Sequence, residues 1–196
     1  MSEPSLAFAD LACRRGDRLL WRGASAMLRA GDALHVTGAN GIGKSSLLRI
    51  LAGLLPAASG TVTRPERLAL VDEAHALDRE LPLAEALLFW AKLDGGNRQT
   101  VATALDRLAI AHLAPVPVRI LSTGQKKRAA LARMLAADAP LWLLDEPANG
   151  LDRDGVVLLE ALIAAHRASG GAVVLASHQP LTLGEAALLD LAALKP

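Results

Sequence analysis

Gly38-Ala39-Asn40-Gly41-Ile42-Gly43-Lys44-Ser45 has the spacing Gly, four residues, Gly-Lys-Ser, and Ser46 follows directly. Glycines so placed let the backbone curl until successive N–H groups point inward, a cradle for the β- and γ-phosphates of a nucleotide. Lys44 would neutralise phosphate charge there, and the Ser45 hydroxyl would reach Mg²⁺, an ion that keeps several waters because it dehydrates reluctantly. A simple Gly-rich turn is the alternative. It loses ground because an apolar run, Leu34-His35-Val36-Thr37, precedes the loop, and Leu47, Leu48, Leu51 and Leu54 recur after it at helical spacing. A helix starting near Lys44 aims its positive end at the same place.

Leu141-Trp142-Leu143-Leu144-Asp145-Glu146-Pro147 reads as an apolar strand ending in two carboxylates, where an α/β sheet presents ligand-binding groups. Asp145 at the strand tip suits the Mg²⁺ shell, and Glu146 suits polarising a water that attacks the γ-phosphate. Alone, such a pair fits a solvated turn equally well; beside a phosphate loop it does not. In Leu121-Ser122-Thr123-Gly124-Gln125, Ser122 and Gln125 have capping-box spacing, so the helix running to Ala137 begins with a positively polarised amide end that can receive a phosphate. Ser-x-x-Gln by itself also describes an ordinary helix start.

The elements that must position these residues follow from periodicity. Leu6 to Leu28 alternates irregularly about a turn at Arg15-Gly16-Asp17, which suits two short antiparallel strands. Buried-strand runs at Leu34 to Thr37, Leu68 to Val71, Leu141 to Leu144 and Ala172 to Ala176 alternate with helical segments. Those helices are expected at Lys44 to Leu55, Leu83 to Leu93, Gln99 to Leu108, Gln125 to Ala137 and Asp154 to Ala168. The class expected is α/β: a mainly parallel core sheet covered on both faces, with an N-terminal antiparallel part. About Glu73 to Ile120 reads as helix and loop, giving a helical sub-domain (roughly 73–137) inside one domain spanning 1–196.

At 196 residues and 52% hydrophobic, the chain has room for one compact domain and not for two. Lys and Arg total 21 against 20 for Asp and Glu, so no charge excess points to a nucleic-acid partner. Cys13 is the one cysteine; it excludes an internal disulfide and a Cys-rich metal site, and reads as a small buried hydrophobe. Met1 to Asp10 does not resemble a secretory signal, so a cytoplasmic chain is expected. Every apolar run breaks short of the ~18 residues of a membrane-spanning helix, so work at a membrane would require docking on a partner.

The phosphate loop, Leu121 to Gln125, the acidic strand end, Asn149-Gly150-Leu151-Asp152 and Ser177-His178, in that order, resemble the ATP-binding cassette family over essentially the whole chain. The resemblance implies a P-loop nucleoside triphosphatase fold, ATP with Mg²⁺, and membrane-spanning transporter subunits as partners at the cytoplasmic face of a bacterial inner membrane. It makes Ser122, Gly124 and Gln125 part of a signature that contacts ATP held by Lys44 of a second copy in a head-to-tail dimer. Asp152 matches the dimer-contact loop. His178 matches a histidine that hydrogen-bonds the γ-phosphate and helps hold Glu146 and water in line. His35, His75, His112 and His166 match no motif.

Two positions depart from the family pattern. Leu70-Val71-Asp72-Glu73-Ala74 has no Gln where the family places one; Glu73 is nearest, and a carboxylate can join the Mg²⁺ shell but cannot donate as an amide does unless protonated. With no Tyr in the chain, Arg15 falls where the family commonly stacks an aromatic on adenine. A planar guanidinium can stack instead, and a solvated turn Arg fits equally well. Cys13 to Arg18, Gly38 to Gly41 leading to Leu47 to Leu54, and Ser177-His178-Gln179-Pro180-Leu181 further resemble the heme-export branch that serves cytochrome c maturation. That implies ATP-driven release of a heme-loaded chaperone, with heme handled indirectly or not at all, since no heme-ligand motif is present. The ATPase of a different exporter is the alternative within the family; a soluble cassette ATPase acting on DNA or ribosomes lacks support, because the chain has neither a long coiled coil nor a second cassette.

Overall fold

The computed structural model describes residues 5–72, 76–179 and 181–194. Strands β1 (Leu6–Arg15) and β2 (Arg18–Leu28) are joined by the tight turn at Gly16-Asp17, which sets Arg15 directly opposite Arg18. They are longer than expected, because register shifts between Phe8 and Arg14 break the apolar alternation without ending the pairing. After β3 (Ala33–Thr37) and α1 (Lys44–Ala52), β4 (Ser59–Thr63) pairs antiparallel with β1 and completes a sheet of order β2-β1-β4. α1 stops short of Leu55 because Gly53 turns left-handed at φ 78° and its N–H closes the helix onto Arg49 O and Ile50 O.

A parallel sheet forms the core, in the order β5 (Leu68–Val71), β6 (Leu141–Asp145), β7 (Ala172–Ala176), β3 and β8 (Ala187–Asp190). β6 and β7 are buried along their whole length, as apolar runs covered on both faces must be. Their side chains alternate between two cores. Leu141, Leu143, Ala172 and Val174 pack with Leu47, Leu48 and Leu51 of α1 and with Leu6, Leu11 and Trp21 of the antiparallel sheet. Trp142, Leu144, Val173 and Leu175 face the opposite way, into a core shared with α2 (Leu83–Leu93), α3 (Arg98–Arg107), α4 (Thr123–Ala137) and α5 (Arg153–Ala168). α1 is thus clamped between the two sheets.

Parallel strands put their C-terminal ends on one side, so the loops after β3, β6 and β7, which are neighbours in the sheet, emerge together. These are the loops bearing Lys44, Glu146 and His178.

Candidate functional site

The loop between β3 and α1 is held by conformations that only glycine adopts readily. Gly43 has φ 110°, and a Cβ there would lie 2.7 Å from Trp21 Nε1 and 3.0 Å from Leu20 Cδ1. Any side chain would therefore push the loop off the antiparallel sheet. Gly43 caps α1 with no side-chain hydrogen bond, and no acidic residue occupies the first helical turn, so the positive end of the helix is left for an anion. Lys44 is 7% exposed, and its ammonium donates to Gly38 O at 2.8 Å and Ala39 O at 3.4 Å. Folded back on the loop in this way, the charge already stands inside the curl that can receive phosphate.

Asp145 ends β6 at 6% exposure, and its Oδ1 has no hydrogen-bond partner among the described residues. Burial pushes its carboxyl above the ordinary range; a hydrogen bond with Ser45 opposes the rise, the Glu146 and Asp72 charges add to it, and Arg49 opposes it. A buried, half-satisfied carboxylate beside a serine hydroxyl is a donor set of oxygen atoms suited to a hard cation. Among the described residues no three His, Cys, Asp or Glu side chains gather into a metal site. A cation here would complete its shell with phosphate oxygens and water, as Mg²⁺ commonly does.

Glu146 follows in a left-handed conformation, φ 45°, that non-glycine residues rarely adopt. Its N–H donates to Ala176 O at 2.8 Å, which fixes the turn against the end of β7. Oε2 of Glu146 accepts the backbone N–H of His178 at 3.3 Å and lies 2.9 Å from His178 Nδ1. The Glu146 side chain is 14% exposed and that of His178 is 52% exposed, so the carboxylate sits at the wall and the imidazole at the rim. A carboxylate oriented by a second polar group is equipped to act as a general base.

These groups border one cleft of about 590 Å³. Of the expected residues it gathers Arg15, Asn40, Gly41, Gly43, Lys44, Ser45, Ser46, Asp145, Glu146 and His178. Gly38 and Ala39 stand behind, supplying carbonyls to Lys44, and Ile42 is buried in the core beneath the loop. Arg18, Leu20 and Asn149 also line the cleft; Leu20 has no place in a sequence motif, and Arg18 and Asn149 fall within motifs that assign them no role at the site. Arg18 and Leu20 alternate along β2 and so share a face with Arg15, their neighbour across the hairpin. Period-two reading of that strand was the signal available for them.

Ser122, Gly124, Gln125 and Asp152 do not reach this cleft; they border a second cavity of about 310 Å³, together with Arg128 and Gly150. Ser122 Oγ accepts the Gln125 N–H at 3.3 Å, and Gln125 Oε1 accepts the Ser122 N–H at 2.9 Å, closing the capping box at the start of α4. Asp152 caps α5 by accepting the Gly155 N–H at 2.9 Å, and it binds Arg128 at 2.8 Å; that hydrogen bond is the main reason its carboxyl lies below the usual range. Glu73 lies outside the described residues.

The ABC transporter family model matches residues 21–149. The chain is 56% identical to the cytochrome c biogenesis ATP-binding export protein CcmA of Sphingopyxis alaskensis, over 91% of this chain and 92% of that protein. It is equally identical, 56%, to the protein of the same name from Novosphingobium aromaticivorans, over 93% of each. Among solved structures, a putative ABC transporter ATP-binding protein from Pyrococcus furiosus superposes with a TM-score of 0.84 at 21% identity, covering 97% of this chain and 99% of that one, a likeness of fold. Fold, family match and close relatives agree: the chain belongs to the ABC transporter family, as an ATP-binding ATPase subunit.

Proposed function

We propose that this chain is the ATP-hydrolysing subunit of an export complex in cytochrome c biogenesis, and that Glu146 and His178 run its hydrolysis. The observation that carries the catalytic part is the Glu146–His178 contact of 2.9 Å at the mouth of the Lys44 loop. The export assignment rests on the cytochrome c biogenesis proteins that the chain matches at 56% identity over more than nine-tenths of their length.

ATP would lie with its phosphates in the loop from Gly38 to Ser46, held by backbone N–H groups, the α1 N-terminus and Lys44. Ser45 and Asp145 would hold Mg²⁺, with Glu73 as a further carboxylate of its shell. The ion when bound neutralises charge on the β- and γ-phosphate oxygens. Glu146 would polarise the attacking water, with His178 holding the carboxylate in place and donating toward the γ-phosphate. Arg15, on the strand face shared with Arg18 and Leu20, would stack on the base.

The Ser122 helix start and the Lys44 loop border different cavities in one chain, which supports a site completed by a second copy. In that head-to-tail dimer, Ser122, Gly124 and Gln125 of one copy meet the γ-phosphate held by Lys44 of the other, and Asp152 lies at the contact. Within the single domain of 1–196, the helical sub-domain of roughly 73–137 would carry that helix start. Among the described residues no helix is long and apolar enough to cross a membrane, so transport requires membrane-spanning partner subunits. The chain would sit peripherally at the cytoplasmic face of the inner membrane and drive release of a heme-loaded chaperone, without nucleic acid.

Deleting the gene and staining for heme-attached c-type cytochromes tests the assignment. They should vanish, return with the wild-type gene and not with Lys44→Ala. Persistence of the cytochromes, or co-purification with an unrelated permease alone, overturns it.

A further inference from the structure

We propose that Gln179 is a positioning residue for ATP hydrolysis, acting through Asn149 on the Glu146–His178 pair. The proposal rests on the catalytic reading of that pair given above. Two short loops carry the pair, 146–149 after β6 and 177–179 after β7, and they are joined twice. The first join is the pair itself. The second is a side-chain hydrogen bond of 3.2 Å from Gln179 Nε2 to Asn149 Oδ1, between positions 30 apart in sequence.

Asn149 borders the nucleotide cleft and Gln179 does not, so Gln179 can influence a bound nucleotide only through its neighbours. Each loop is pinned internally, which makes a displacement at one end a displacement at the other. On the β6 side the Asn149 N–H donates to Glu146 O at 3.2 Å. On the β7 side Ser177 Oγ accepts the Gln179 N–H at 3.0 Å and lies 3.1 Å from Gln179 O. Ser177 itself is anchored in the fold at 4% exposure.

The second join is needed because the first cannot hold itself. His178 is 52% exposed, so packing does not fix its ring, and Glu146 holds a left-handed φ of 45° that persists only where surrounding contacts enforce it. The Glu146 N–H bond to Ala176 O enforces it from the sheet, and Gln179 through Asn149 enforces it from the facing loop. Loss of that bond leaves nucleotide binding intact and lets the general base drift from the attacking water, where small misplacements are costly in rate.

The test measures ATP turnover against ATP concentration for the full chain purified with its membrane subunits, with a thermal melt on every variant. Gln179→Ala should lower kcat about fivefold to tenfold with KM unchanged, while Tm falls by no more than the ~2–4 °C that loss of one ordinary hydrogen bond costs a chain of this size. Gln179→Glu should recover most of the rate, because Asn149 with its amide turned over can donate to a carboxylate at that position. In an Asn149→Ala background, adding Gln179→Ala should change nothing further, since the bond is already gone. Wild-type kcat in Gln179→Ala, a loss confined to KM, a fall in Tm large enough to unfold the variant at the assay temperature, or a full additional loss in the double variant overturns the proposal. Glu146→Gln serves as reference: wild-type turnover in that variant sinks the catalytic reading itself, whereas an inactive Glu146→Gln beside an unaffected Gln179→Ala sinks only the role of Gln179.

Discussion

His178 Nδ1 lies 2.9 Å from Glu146 Oε2, and the same oxygen accepts the His178 backbone N–H at 3.3 Å. With Oε2 so engaged, Glu146 keeps its other oxygen for a water, the division of labour an oriented general base requires.

Lys44→Ala should weaken ATP binding severely and leave the fold intact, because among the described residues the Lys44 ammonium bonds to carbonyls of its own loop, Gly38 and Ala39. Titration with a fluorescent ATP analogue checks this. Unchanged affinity with a normal melt would remove Lys44 from phosphate binding.

Asp145 combines a raised carboxyl pKa with an Oδ1 that has no partner among the described residues. An acid whose pKa rises on folding adds stability that is full below its unfolded value, near 3.8, and is lost as pH rises through the folded value. At neutral pH the ionised group therefore destabilises the nucleotide-free protein. Asp145→Asn should raise Tm without nucleotide and abolish Mg²⁺-dependent turnover, a trade common at functional sites. A lowered Tm in a neutral-pH melt would contradict this.

Ser122→Ala removes the acceptor for the Gln125 N–H and so one half of the capping box. The loss should be about 1 kcal/mol in urea unfolding, the usual worth of an N-cap hydroxyl. ATP-dependent dimerisation, followed by sedimentation, should fall much further than that stability change explains.

His166 stacks on Trp142 with centroids 3.7 Å apart and planes within 4°, and its Nε2 has no partner among the described residues. Burial pushes its pKa below 6.5, against backbone hydrogen bonds at Ala172 and Pro140 and the charge of Asp138. A base with a lowered folded pKa contributes stability that is full above the unfolded value and lost as pH falls through the folded one. Stability should therefore drop as pH falls below 6.5, and His166→Phe, which keeps the stack, should flatten that part of the curve. Melts over a pH series decide it; an unchanged slope in the variant would remove His166 from the pH response.

The phosphate loop, the acidic strand end, the capping box and the helices of the second core were legible because their signals are local: fixed spacings, helical periodicity and unbroken apolar runs. β4 and β8 were not. Ser59–Thr63 and Ala187–Asp190 are mostly exposed and carry no clear alternation, and they become strands through pairing with β1 and β3, which no local pattern reveals. Arg18 and Leu20 needed the register of the β1–β2 hairpin, and the Gln179–Asn149 bond needed the adjacency of β6 and β7. The separation of Ser122 from Lys44 into different cavities is likewise a property of the folded chain.

The most direct test of the account is ATP affinity and steady-state turnover measured side by side on Glu146→Gln. The account predicts wild-type affinity with turnover lowered at least ~10²-fold, the low end for loss of a general base. Turnover at the wild-type rate would contradict it.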